Sequence, residues 1–125
     1  MYLLDTNIFL EILLGQSKKD ECKNFILKNT GHCSFSDFTL YSIGIALFRK
    51  KLFVEYENFF SDVHSMMPLR SLPLQKQFQL IVNAQKLNLD FDDAYQYEVA
   101  KQYNLTIVTM DSDFKSVKDL MVLFL

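Results

Sequence analysis

Five aspartates stand where the chain passes from one element into the next. Asp5 follows the apolar triplet Tyr2-Leu3-Leu4, Asp92 and Asp93 open a helical run, and Asp111 and Asp113 follow Leu105-Thr106-Ile107-Val108-Thr109. Converging carboxylates repel one another and raise each other's pKa unless a cation joins them. The cation suited to oxygen ligands alone is Mg²⁺ or Mn²⁺. Such an ion orients and activates water and stabilises charge developing on a phosphodiester. No nucleophile pattern competes with this reading. His32 and His64 are isolated, while Cys22 and Cys33 match neither metal-ligand spacing nor a disulfide framework and read as buried, reduced thiols.

The elements that must position these acids follow from periodicity and punctuation. Tyr2–Leu4 is a short strand, apolar enough to sit centrally in a parallel sheet. A helix, Ile8 to Leu14, follows at once and ends at Gly15, with Thr6 or Asn7 as its cap. Asp5, taken alone, reads equally as a helix cap and as a ligand. A second helix runs from Ser17 to Asn29, with Cys22, Phe25 and Ile26 inward and Leu27 beside them, and His32–Phe35 forms a second strand after Gly31. Asp37 is expected to cap a third helix, Phe38 to Lys51, with Leu40, Ile43, Leu47 and Phe48 on its apolar side. That helix ends on Arg49, Lys50 and Lys51, where cations suit the helix dipole and offer a grip on a phosphate backbone.

The second half repeats the alternation. Phe53 to Ser65 is a helix carrying an aromatic stripe, and Leu69–Leu72 is a short strand between two prolines. Gln75 to Lys86 is a helix with Phe78, Ile81, Val82 and Gln85 expected inward. The helix opened by Asp92 and Asp93 presents Ala94, Tyr97, Ala100 and Tyr103 on one side and stops at Asn104. The β-branched strand Leu105–Thr109 and a last apolar strand, Leu120–Leu125, complete the chain. Strands alternating with helices predict an α/β fold around a parallel sheet. Ligands bind at the carboxyl ends of the strands in such sheets, and Asp5 and Asp111 are placed there.

Composition sets the remaining bounds. The 125 residues fit a single domain, 1–125, and half of them are hydrophobic. A net charge of −2 excludes a generally basic coat for nucleic acid and leaves room only for a local patch. No apolar run approaches the roughly 20 residues of a membrane span, and MYLLDTNIF lacks the basic start of a signal peptide, so a cytoplasmic protein is expected. Twelve Phe and six Tyr exceed what one small core needs, and Tyr56, Phe59 and Phe60 are the expected face of a homodimer.

DTN after the first strand, DDA opening a late helix and TMDSDF after the next strand together resemble the PIN domain family, in this order and over the whole chain. The resemblance implies a three-layer α/β/α sandwich whose mainly parallel five-stranded sheet runs in order 3-2-1-4-5. It implies metal-dependent cleavage of RNA, as by the endoribonuclease toxins of toxin–antitoxin modules, and hence a cognate antitoxin partner. By the match, Asp5, Asp93 and Asp111 are catalytic metal ligands and Asp113 is an auxiliary acid on the same ion. One departure stands out. The family usually carries a glutamate in its third helix, and Thr39-Leu40-Tyr41-Ser42-Ile43 places Ser42 at that position. Asp37 or Asp92 could supply the missing charge. A second reading follows: a PIN fold weakened or silenced in catalysis and used for binding or assembly. Aspartyl phosphotransfer fits less well, because Asp5-Thr6-Asn7 lacks the second early acid. A dinucleotide site fits less well still, since G-x-G-x-x-G occurs nowhere in the chain.

Overall fold

The computed structural model describes residues 1–125. Five strands, β1 (Tyr2–Leu4), β2 (Cys33–Ser36), β3 (Leu69–Arg70), β4 (Thr106–Thr109) and β5 (Val122–Phe124), form one sheet in the order β3-β2-β1-β4-β5. Every neighbouring pair is parallel, with Leu3 opposite Ile107 and Leu4 opposite Val108 at the centre. Strict alternation sends these residues to opposite faces. Leu4 and Val108 join a core with α1 (Thr6–Leu13), α2 (Lys19–Lys28), α3 (Asp37–Arg49) and α4 (Phe53–Met66). Leu3 and Ile107 join a second core with α5 (Gln77–Leu87) and α6 (Phe91–Tyr103). The result is the three-layer parallel architecture expected from the sequence.

Several local assignments differ. Of the three residues offered as caps of α1, Asp5 takes the place and Thr6 and Asn7 do not, the Asp5 Oδ1 accepting from the Thr6 amide at 2.7 Å. Ser36 rather than Asp37 caps α3: Ser36 is extended, so its hydroxyl meets the Thr39 amide at 3.1 Å, and Asp37 becomes the first helical residue. The inward face of α5 is Leu80 with Ala84 and Leu87, whereas Phe78, Ile81 and Val82 are exposed. This helix carries apolar residues on two sides, so periodicity alone leaves its buried side open. Phe59 lies in the core against Phe9 and Tyr56, which removes it from any outward dimer face; Phe60 stays exposed. Gly44 lets α4 approach α3, since a Cβ there would stand 3.2 Å from the Tyr56 ring. Asn104 ends α6 in the left-handed region at φ 53°, as its residue type favours.

Candidate metal centre

β1 and β4 lie side by side, so their carboxyl ends deliver Asp5 and Asp111 to one edge of the sheet. α6 begins above the same edge and brings Asp93 in its first turn. Carboxylate oxygens of Asp93, Asp111 and Asp113 come within 4.8 Å of one another. Asp93 is buried, Asp111 half-buried and Asp113 exposed, so the group opens from the protein interior to solvent. Burial, then the charges of Asp92, Asp111, Asp5 and Asp113, push the Asp93 carboxyl up to about 7. A carboxyl so crowded by like charge is what an added cation would relieve.

Asp5 enters this arrangement differently. Its carboxylate is 7% exposed and accepts four hydrogen bonds: Oδ1 from the Thr6 amide and from Gln96 Nε2 at 3.3 Å, Oδ2 from Thr109 Oγ1 at 2.7 Å and from Asn7 Nδ2 at 3.1 Å. Desolvation raises its pKa against the pull of the Thr109, Thr6 and Gln96 donors, with the Asp111 charge adding to the rise. Asp5 therefore adjoins the three-acid group electrostatically while its own oxygens are occupied.

Of the residues that hold Asp5, Asn7 is expected from the sequence only as a candidate cap, and Thr109, Thr39 and Gln96 have no expected role at the site. Asn7 clasps β4, its Nδ2 also reaching Thr109 Oγ1 and its Oδ1 accepting from the Met110 amide at 3.2 Å. Thr109 Oγ1 accepts from the Asp111 amide at 2.9 Å, which fixes the start of the acidic turn. Asp111 Oδ1 then caps the short 3₁₀ turn Ser112–Ser116 through the Asp113 amide. Thr39 and Gln96, both fully buried, complete the network. For Thr109 the only sequence signal is a hydroxyl closing an apolar strand, and Thr39 and Gln96 carry no such mark.

The remaining expected residues are placed as follows. Asp92 is exposed beside Asp93 and acts on it through charge. Asp37 Oδ1 accepts from the Phe38 amide and from the Tyr95 hydroxyl at 2.7 Å, so it is tied to α6 outside the three-acid group. Ser42 is half-buried one turn beyond Thr39 on the same side of α3, and the third helix sends no carboxylate toward the cluster from there. Arg49, Lys50 and Lys51 are exposed at the far end of α3. Its 13 residues, at about 1.5 Å each, separate them from the acid edge by roughly 20 Å.

The donor set fits a hard divalent ion. Mg²⁺ takes one or a few carboxylates and keeps several waters, with oxygens at 2.0–2.1 Å; opposite corners of such an octahedron stand about 4 Å apart. Three carboxylate oxygens within 4.8 Å need only a small contraction to reach that size. Cys22 and Cys33 are buried elsewhere and offer no softer ligands to the group.

No curated protein matches the chain. Among solved structures, a toxin–antitoxin complex from Klebsiella pneumoniae superposes with a TM-score of 0.80 at 16% identity, covering 97% of this chain and 96% of that one. VapBC2 from Rickettsia felis, bound to a DNA fragment from its promoter, gives 0.75 at 17% identity, with 97% and 96% covered. FitAcB from Neisseria gonorrhoeae gives 0.72 at 22% identity, with 98% and 96% covered. At these identities the likeness is one of fold. The PIN domain family model matches residues 2–120, nearly the whole chain, and so the parallel sheet with acids gathered at the ends of β1 and β4 belongs to a member of the PIN domain family.

Proposed function

We propose that the chain is a divalent-metal-dependent endoribonuclease and the toxin of a toxin–antitoxin module. The observation that carries this reading is the convergence of Asp93, Asp111 and Asp113, beside Asp5, at the open edge of the sheet. Asp93, Asp111 and Asp113 would hold Mg²⁺ or Mn²⁺, with Asp5 adjoining them. Such an ion, when bound, would supply an activated water and a counter-charge for the phosphodiester. Asp113, reaching solvent, orders the approach of the strand, and Asn7 and Thr109 keep the acidic turn in register with Asp5. Arg49, Lys50 and Lys51 meet RNA only where the strand runs about 20 Å from the cleft along α3.

One solved structure of similar fold, from Klebsiella pneumoniae, is a toxin–antitoxin complex, which supports a protein antitoxin as partner. A homodimer is part of the same reading, now through the exposed stripe Leu74, Phe78, Ile81 and Val82 on and before α5. The protein works in the cytoplasm, where Cys22 and Cys33 stay reduced; no helix is long and apolar enough to cross a membrane.

A second reading, a PIN fold kept for binding or assembly, is favoured by Ser42, which leaves α3 without an acid at the cleft. Incubation of single-stranded RNA with the purified protein separates the two. Cleavage that requires Mg²⁺ or Mn²⁺, stops with EDTA and is lost in Asp93→Asn supports the nuclease. Wild-type protein that binds RNA and metal yet cuts nothing supports the binding module.

A further inference from the structure

A groove of about 710 Å³ lies between α5, α6 and the segment Ser116–Asp119, and apart from Leu87 and Tyr97 its lining is polar. Four lysines line it: Lys76 just before α5, Lys86 in the last turn of that helix, Lys101 on α6 and Lys118 before β5. Lys76, Lys86 and Lys118 are exposed and have no carboxylate partner, since the chain's single ion pair is Lys101 with Asp119 at 2.8 Å. Lys118 Nζ donates only to the Lys115 carbonyl. Two acids oppose the lysines. Glu98 is 5% exposed and held by Asn83, and Asp119 is engaged by Lys101 and by the Tyr97 hydroxyl at 2.9 Å. The accessible surplus is therefore cationic, in a chain whose net charge is −2.

One end of the groove adjoins the acid cluster: the Ser116 hydroxyl lies 3.2 Å from the Asp113 carbonyl and 3.3 Å from that of Leu87. The other end follows α6. Asp93, Tyr97 and Lys101 recur every four residues on one side of that helix, so Lys101 stands about 12 Å along it from Asp93. Resting on the nuclease reading above, we infer that this groove carries single-stranded RNA on one side of the cleaved bond, its lysines lying against the backbone phosphates. The acids at the sheet edge repel a phosphodiester, and at physiological ionic strength exposed cations offset that repulsion only within about 8 Å. Arg49, Lys50 and Lys51 stand roughly 20 Å away, too far to do so. Lys86 adjoins Leu87 and Lys118 follows closely on Ser116, so both stand at the end of the groove beside the acids. Lys101 joins them by exchanging Asp119 for a phosphate, because an exposed ion pair is worth little. A positive groove of this kind tracks the backbone and holds a strand whatever its bases.

Fluorescence anisotropy of a labelled single-stranded RNA of about ten nucleotides, titrated in EDTA over a series of KCl concentrations, tests this apart from metal binding and cleavage. Wild type is compared with a groove variant, Lys76→Gln with Lys86→Gln and Lys118→Gln, and with an α3 variant, Arg49→Gln with Lys50→Gln and Lys51→Gln. Each phosphate contact on a single strand adds about 0.7 to the log–log salt slope, so the groove variant should lose about two from it. It should also bind at least tenfold more weakly at low salt, while the α3 variant keeps the wild-type slope and affinity. If the groove variant does not fold, Asp119→Asn decides: by untying Lys101 it should bind the RNA at least threefold more tightly, and equal or weaker binding overturns the inference. An unchanged slope in the groove variant, or equal losses in both triple variants, overturns it and leaves the nuclease reading standing. Displacement of the RNA by an equal concentration of inorganic phosphate assigns the groove to a small phosphorylated ligand and overturns the strand reading. Wild type that neither binds nor cuts RNA, even with Mg²⁺, overturns the nuclease reading and this inference together.

Discussion

Replacing Asp93 by Asn should make the metal-free protein more stable while destroying its response to metal. Burial and four neighbouring acids raise the Asp93 carboxyl from 3.8 to about 7. In the unfolded chain it ionises near 3.8, so between these values the native state binds the extra proton, and stability falls as pH rises. Below 3.8 both states are protonated and the penalty vanishes; above 7 it is complete. About three pKa units at roughly 1.4 kcal/mol each set an upper bound near 4 kcal/mol. Asp93 also stands in the first turn of α6, where a negative charge gains about 0.3–1 kcal/mol that Asn forfeits. The expected net gain at pH 8 is about 2–3 kcal/mol, a rise in Tm of roughly 5–10 °C for a domain of this size. The gain should shrink as pH falls toward 4. Mn²⁺ at a hundred times its Kd should cancel most or all of the difference, since it adds about 2.7 kcal/mol to wild type and far less to the variant. Thermal melts of both proteins at pH 4, 6 and 8, with EDTA or Mn²⁺, give the comparison. A variant no more stable than wild type at pH 8 in EDTA would refute the claim that repulsion and burial strain this carboxyl.

Other outcomes follow from the same geometry. Ser42→Glu should tighten Mn²⁺ binding tenfold or more, about 1.4 kcal/mol by calorimetry, and speed RNA cleavage; unchanged affinity in a folded variant would place Ser42 outside the site's reach. Neutralising Arg49, Lys50 and Lys51 together should flatten the salt dependence of binding to long RNA and leave cleavage of a short oligonucleotide unchanged, because the patch lies about 20 Å from the acids. Equal loss on both substrates would contradict that placement. Phe78→Glu with Ile81→Lys on α5 should convert a dimer to a monomer by light scattering, and a wild type that is monomeric at all concentrations would remove the dimer from the account.

Most of the frame could be read from residue order, and the reasons are physical. Tyr2–Leu4 and Thr106–Thr109 are too short and too apolar to be anything but central strands, and their parallel pairing carries Asp5 and Asp111 to one edge. Asn104 announced the end of α6 because few other residues accept its backbone angle. α5 misled because Phe78, Ile81 and Val82 form a stripe as apolar as Leu80, Ala84 and Leu87, and only the sheet decides which one is covered. Asp37 was taken for a cap since it has a capping side chain, yet Ser36 stands in the extended backbone that capping needs. The support of Asp5 was hidden for a different reason: Gln96 and Thr109 reach it across 91 and 104 residues of chain, and no local pattern records such contacts.

The most direct test of the metal centre is anomalous diffraction from a crystal soaked in Mn²⁺. One peak is expected at the carboxyl edge of the sheet, about 2.0–2.2 Å from oxygens of Asp93 and Asp111, with Asp113 at the solvent side. Mn²⁺ found only elsewhere on the surface, with these three carboxylates bare at a concentration that saturates binding in solution, would contradict the account.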